Sequence, residues 1–124
     1  MELDFDALLR EGRELFNERR FFECHEVWER LWMETGGERA DLLKGLLQAA
    51  IALHHFRRGN LVGARKLYDG QKRILAPFRP AREGLDLAKL DRDMDAAFDA
   101  LLRARPDERP ALDPFLVPRL ATTA

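Results

Sequence analysis

The segment Phe21-Phe22-Glu23-Cys24-His25-Glu26-Val27-Trp28-Glu29-Arg30-Leu31-Trp32 gathers both tryptophans of the chain, a histidine and several carboxylates. Wound as a helix, at about 100° per residue, it puts Phe21, Cys24, His25, Trp28, Leu31 and Trp32 on one face. Glu23, Val27, Arg30 and Glu34 fall on the other. Glu29 lies one turn from His25 at the i,i+4 spacing, where its carboxylate can reach the imidazole, with Glu26 further round. A carboxylate so placed orients an imidazole and raises its basicity, as in general acid–base pairs and around metal ligands. The spacing H-E-x-x-E is one residue from the H-E-x-x-H zinc-protease helix, and without the final histidine it is not read as a metalloprotease. The plain structural reading is a buried histidine, satisfied by Glu29, that fixes the packing around it.

A second polar set lies on the stretch 38–58, which is apolar almost all round: Leu42, Leu43, Leu46, Leu47, Ala49, Ala50, Ile51, Ala52, Leu53 and Phe56. Such a helix belongs in the middle of a bundle. Lys44, Gln48 and His55 interrupt it on one side, and His54 points about a quarter turn away, toward solvent or an interface. Buried polar groups need partners, and the economical ones are His25 and Glu29. Facing stripes would bring His25, Glu29, Gln48 and His55 together between the second and third helices, where bundles build sites. His25, Glu29 and His55 would suit a divalent metal such as zinc, manganese or iron, the candidate cofactor. Without metal, His25 would act as base, Glu29 would orient it, Glu26 would be an outer carboxylate, and Gln48 and His55 would supply the facing shell of a small hydrolysis. Lys44, at the stripe's end, could hold an anionic group. The competing reading is a polar network without chemistry. Trp28 and Trp32 are expected in the core, with stacking on a ligand the lesser reading. Cys24 reads as a small buried hydrophobe.

These residues need elements to hold them. The 124 residues suffice for one domain with a core of its own. A single cysteine allows no internal disulfide, which fits a reducing cytoplasm. The acidic start, Met1-Glu2-Leu3-Asp4, does not look like a signal peptide, and Leu42 to Leu53 is too short to span a bilayer. A first helix, capped by Asp4 or Asp6, carries Phe5, Leu8, Leu9, Gly12, Leu15 and Phe16 at helical spacing. Asn17-Glu18-Arg19-Arg20 turns it into the second, which stops at Thr35-Gly36-Gly37. Gly59-Asn60 separates the third helix from a fourth, whose inner face is Leu61, Ala64, Leu67, Tyr68, Gln71, Ile74 and Leu75. A fifth, about 87–104, turns Leu87, Leu90, Met94, Ala97, Phe98, Leu101 and Leu102 inward. No segment alternates with period two, so no sheet is expected. The expected fold is all-α: a bundle of about five helices in antiparallel pairs over 1–105, with helix 3 central. A Pro-rich tail, 106–124, is expected to be extended or disordered, with Phe115, Leu116 and Val117 free to pack on the body or a partner.

The net charge of −1 hides an asymmetry. Residues 1–41 carry net −6, residues 57–82 net +7, and residues 83–124 net −3. Helix surfaces that attract one another explain this better than nucleic-acid binding, because the basic block has no RNP-type or Gly-rich motif.

Three stretches together resemble a known family: Phe16-Asn17-Glu18-Arg19-Arg20 running into the tryptophan helix, Leu43 to His55, and Arg58-Gly59-Asn60-Leu61-Val62-Gly63-Ala64. They resemble the small prokaryotic family catalogued as domain of unknown function 309, over about residues 5–103. The resemblance implies an all-helical bundle, and motif positions at His25, Glu26, Trp28, Glu29, Trp32, Gln48, Asn60, Gly63 and Ala64. The family has no established activity, and some members carry a metal-dependent hydrolase label. The leading expectation is a polar ligand or metal site between helices 2 and 3, with hydrolysis as its candidate chemistry. The alternative is a helical protein-interaction or oligomerisation module, with a small molecule, a protein or a second copy as partner.

Overall fold

Asp4 opens the first helix by accepting a hydrogen bond from the Ala7 amide through Oδ1, at 3.1 Å. Asn60 does the same for Gly63 at 3.0 Å and Asp86 for Lys89 at 3.0 Å. Each uses a short polar side chain to satisfy an amide that the helix cannot. In the computed structural model, which describes residues 3–123, the helices are α1 (Phe5–Asn17), α2 (Phe21–Met33), α3 (Gly37–Arg57), α4 (Leu61–Leu75) and α5 (Leu87–Arg103). α2 and α3 have no side-chain cap; the chain enters them through positive φ at Arg19 and Gly37.

The fold is an all-α bundle of contacting helix pairs. α3 packs between α2 and α4, α1 covers α2, and α5 closes over α4. Phe98 of α5 reaches both Phe56, at 5.1 Å between ring centres, and Tyr68, at 4.8 Å. Trp28 fills the space between α1 and α2 and donates its indole N–H to the Leu9 carbonyl at 3.3 Å. The close approach requires Gly12, because a β-carbon there would overlap the indole ring.

The structure corrects two expectations and, for the tail, selects the extended of its two expected forms. The connection after α4 is not featureless: Ala76–Phe78 makes a 3-10 turn, and Ala81–Arg82 (β1) pairs antiparallel with Leu85–Asp86 (β2). A hairpin with two residues per strand is too short to show an alternation. The tail is ordered against the body. Leu120 is wholly buried, and Asn17 clamps it, accepting from its amide at 2.7 Å and donating to its carbonyl at 3.0 Å. Phe115, by contrast, points out, 95% exposed. Finally, Trp32 is not in the core: it is 38% exposed, at the rim of α2.

Candidate functional site

Locally, α2 holds the pair that its spacing predicts. His25 Nε2 and Glu29 Oε2 are 2.8 Å apart, and His25 Nδ1 is buried without a partner. The ring beside His25 is Phe22, at 5.9 Å between centres, and Phe22 in turn lies 5.3 Å from His54 of α3. His54 is therefore the α3 histidine on the α2 side. Burial lowers its pKa first, then the charges of Arg58, His55 and Arg57, with Glu23 opposing.

Gln48 and His55 turn the other way. The Gln48 amide lies on Gly70 of α4, where a β-carbon would overlap it, and its Oε1 has no hydrogen-bond partner. His55 Nδ1 is 3.3 Å from the Asn60 amide, and its ring packs beside Gly63. On α3 the line Gly45, Gln48, Ala52, His55 meets α4, whereas Leu47 and His54 lie one line over, toward α2. Polar matching between α2 and α3 chose the wrong one of two adjacent lines. His25 and Glu29 therefore meet each other and not Gln48 or His55. Among the described residues no group of three His, Cys, Asp or Glu side chains is arranged to hold a metal ion. The predicted set His25, Glu29 and His55 is not assembled, so no catalytic step through a metal follows from it. Glu26 and Lys44 are exposed, and Trp28 is a core residue. Cys24 is wholly buried, and desolvation pushes its thiol far up, so it is no nucleophile.

A cluster that the sequence reading missed joins α4 to α5. Tyr68 donates to Asp95, Lys72 reaches Asp91 at 3.1 Å and Asp95 at 2.9 Å, and Arg79 meets Asp91 at 2.9 Å. The signal was present: Tyr68 and Lys72 stand at i,i+4 on one helix, and Asp91 and Asp95 on the other. Asp95 stays below the usual carboxyl value although burial would raise it, because the hydrogen bonds of Tyr68 and Lys72 and the charges of Lys72 and Arg79 outweigh that penalty. These ion pairs bind part of the basic block to the acidic final third.

A cavity of 570 Å³ lies elsewhere, between the start of α4 and the end of α5, where Leu61, Val62, Arg65, Leu101 and Arg109 line it. No predicted site residue does. What surrounds the His25–Glu29 pair is instead an open face. Phe22 is 45% exposed and Met33 72%, and with Trp32 they flank the pair along α2. Leu47, Ile51 and His54 of α3, all partly buried, continue the face, with Lys44 at its edge.

Residues 9–67 match the family model described as "Domain of unknown function (DUF309)". Over this stretch the chain is similar to that family. The stretch begins in α1 and ends within α4, so it carries every motif residue from His25 to Ala64 and leaves α5 and the tail outside. The "Uncharacterized protein YpuF" of Bacillus subtilis (strain 168) is 37% identical over 86 residues, which are 67% of this chain and 49% of YpuF. An "Uncharacterized protein" of Aquifex aeolicus (strain VF5) is 39% identical over 54 residues, 43% of this chain and 16% of that protein. The match thus spans half or less of each of these relatives. No described helix is long and apolar enough to cross a membrane.

Proposed function

We propose that the chain is a protein-docking module whose working surface is the outer face of α2 and α3. The observation that carries this is the grouping of Phe22, Trp32 and Met33, all exposed, along one side of α2, beside Leu47 and Ile51. Single exposed apolar residues are ordinary, but three large ones on one side of a helix, with Glu26 and Glu29 between them and Leu47 and Ile51 beside them, mark an interaction surface. The His25–Glu29 bond and the Phe22–His54 contact hold the face in shape rather than open a cavity. Its edge is acidic, with Glu26 and Glu29 exposed, so the partner brings an apolar stripe flanked by cations.

The test is a photo-crosslinking residue at position 33 of the full chain, in cells, with position 10 on the exposed side of α1 as control. An adduct from 33 and none from 10 is expected. No adduct from 33 removes the docking reading.

The ligand and hydrolysis reading keeps one supporting observation, the oriented imidazole with its buried Nδ1 unpaired. In that reading His25 is base or ligand and Glu29 its partner. It requires zinc or manganese to raise the melting temperature of the chain, and the rise to vanish in both His25→Ala and Glu29→Ala. It ranks second because Gln48 and His55 face α4.

A further inference from the structure

The charges around the docking face are arranged to meet their own image. On α4, Gly63 and Gly70 mark the line packed on α3, against His55 and Gln48. Buried Ala64, Gln71 and Leu75 lie to one side of that line, toward the core. Lys66 and Arg73 follow Gly63 and Gly70 by three residues each, which turns them about 60° to the other side, onto the outer surface. Both are exposed, as is Val62, and neither makes an ion pair among the described residues. The outer surface therefore runs from acidic α2, with Glu26 and Glu29, over Leu47, Ile51 and the exposed Lys44 of α3, to α4, where Lys66 and Arg73 outweigh the exposed Asp69 between them.

We infer that the occupant of this face is a second copy of the chain, related by a two-fold axis parallel to α3, so that α2 of each copy lies over α4 of the other. The inference rests on the docking reading and names its partner. The axis follows from charge. Rotation about a line across α3 would lay α2 on α2 and set Glu26 and Glu29 against themselves. Rotation about a line along α3 sets them against Lys66 and Arg73, once on each side.

The heights agree. Phe22 is level with His54, and Gly63 with its neighbour His55. Both α2 and α4 run antiparallel to α3 from there. At about 1.5 Å per residue, Glu26 and Glu29 lie about 6 and 10 Å further down, and Lys66 and Arg73 about 4 and 15 Å. The basic pair brackets the acidic pair, with Asp69 between them about 9 Å down, while Leu47, Ile51 and the long side chain of Lys44 meet their own copies on the axis. Glu29 touches His25 through one oxygen and keeps the other for the partner.

Sedimentation equilibrium of the full chain tests this, with circular dichroism to check that each variant is folded. The native chain is expected at twice its 14.4 kDa. Two doubly reversed variants follow, Glu26→Lys with Glu29→Lys, and Lys66→Glu with Arg73→Glu. Each alone sets like charges together at both seams and is expected to weaken the dimer about tenfold or more. Their equimolar mixture restores opposite charges at both seams and is expected to recover the dimer. A native monomer, variants that dimerise as well as the native chain, or a mixture that stays monomeric would each overturn the inference. The crosslink from position 33 separates the two proposals. An adduct of two copies supports this one. An adduct with a different protein overturns it and leaves the docking reading standing, and no adduct removes both.

Discussion

Gly12 has no room for a side chain. The Trp28 indole lies where its β-carbon would go, and that indole is hydrogen-bonded to Leu9, so it has little freedom to yield. Gly12→Ala is expected to cost about 1–3 kcal/mol in urea unfolding, the range for overpacking a filled core. Another residue sets a pH dependence. His54 has its pKa below the ordinary value, so in acid the unfolded chain takes up its proton first. The stability tied to it is present above about pH 6.5 and is lost as pH falls through the lower, folded value. Melting temperatures between pH 7 and 5 should fall less steeply in His54→Gln than in the native chain. At this scale the sequence was legible where geometry is local. The i,i+4 spacing of His25 and Glu29 dictates their bond. It was not legible where the outcome depends on which of two adjacent lines on α3 meets which neighbour, and so His54 and His55 exchanged expected roles.

Among the elements, α4 and α5 are joined by charge as well as by packing. Tyr68, beneath Phe98, has its phenol pushed far above its ordinary value by burial and then by the hydrogen bond and charge of Asp95. Burial would lower Lys72, but the hydrogen bonds and charges of Asp95 and Asp91 outweigh that and raise it. Both folded values lie above the unfolded ones, so both groups stabilise the fold below about pH 10 and lose that contribution as pH rises through the folded values. Alkaline unfolding should begin near pH 10, and Tyr68→Phe should flatten its slope. Tyr68→Phe should also be less stable at pH 7, because Asp95 loses a donor; equal slopes in the two proteins would sink the argument. The helices themselves were readable to within a residue or two, since Asp4, Asn60 and the Gly36-Gly37 stop act over a few bonds. The hairpin was not. Its only sign is Glu83-Gly84, both at positive φ, a two-residue turn that suits the strand twist.

For the molecule as a whole, the question is what the last residues do. Four prolines between Pro106 and Pro118 remove amide donors and leave no period to read, so the sequence points to a tail that is extended or disordered. One leucine decides between the two. Leu120 enters the core, Ala121 accepts from the Asp86 amide at 2.9 Å, and the Thr123 amide donates to Gly84 at 2.8 Å. Arg19 holds the Pro114 carbonyl at 2.9 Å from the far side. The tail thus ties the hairpin before α5 to the end of α1, two places about seventy residues apart in the chain. Such a tie works by burial and by satisfied backbone groups together, so each can be removed separately. Leu120→Ala should cost about 2–4 kcal/mol, as for a truncated core leucine. Asn17→Ala leaves the Leu120 amide without a partner and its carbonyl with only Arg13, at 3.4 Å, and should cost about 1–3 kcal/mol. The two act on one contact, so the double variant should lose less than the sum. Urea unfolding of the four proteins measures all three terms. A Leu120→Ala loss below about 0.5 kcal/mol, the scale of surface substitutions, would mean the tail is only draped on the bundle.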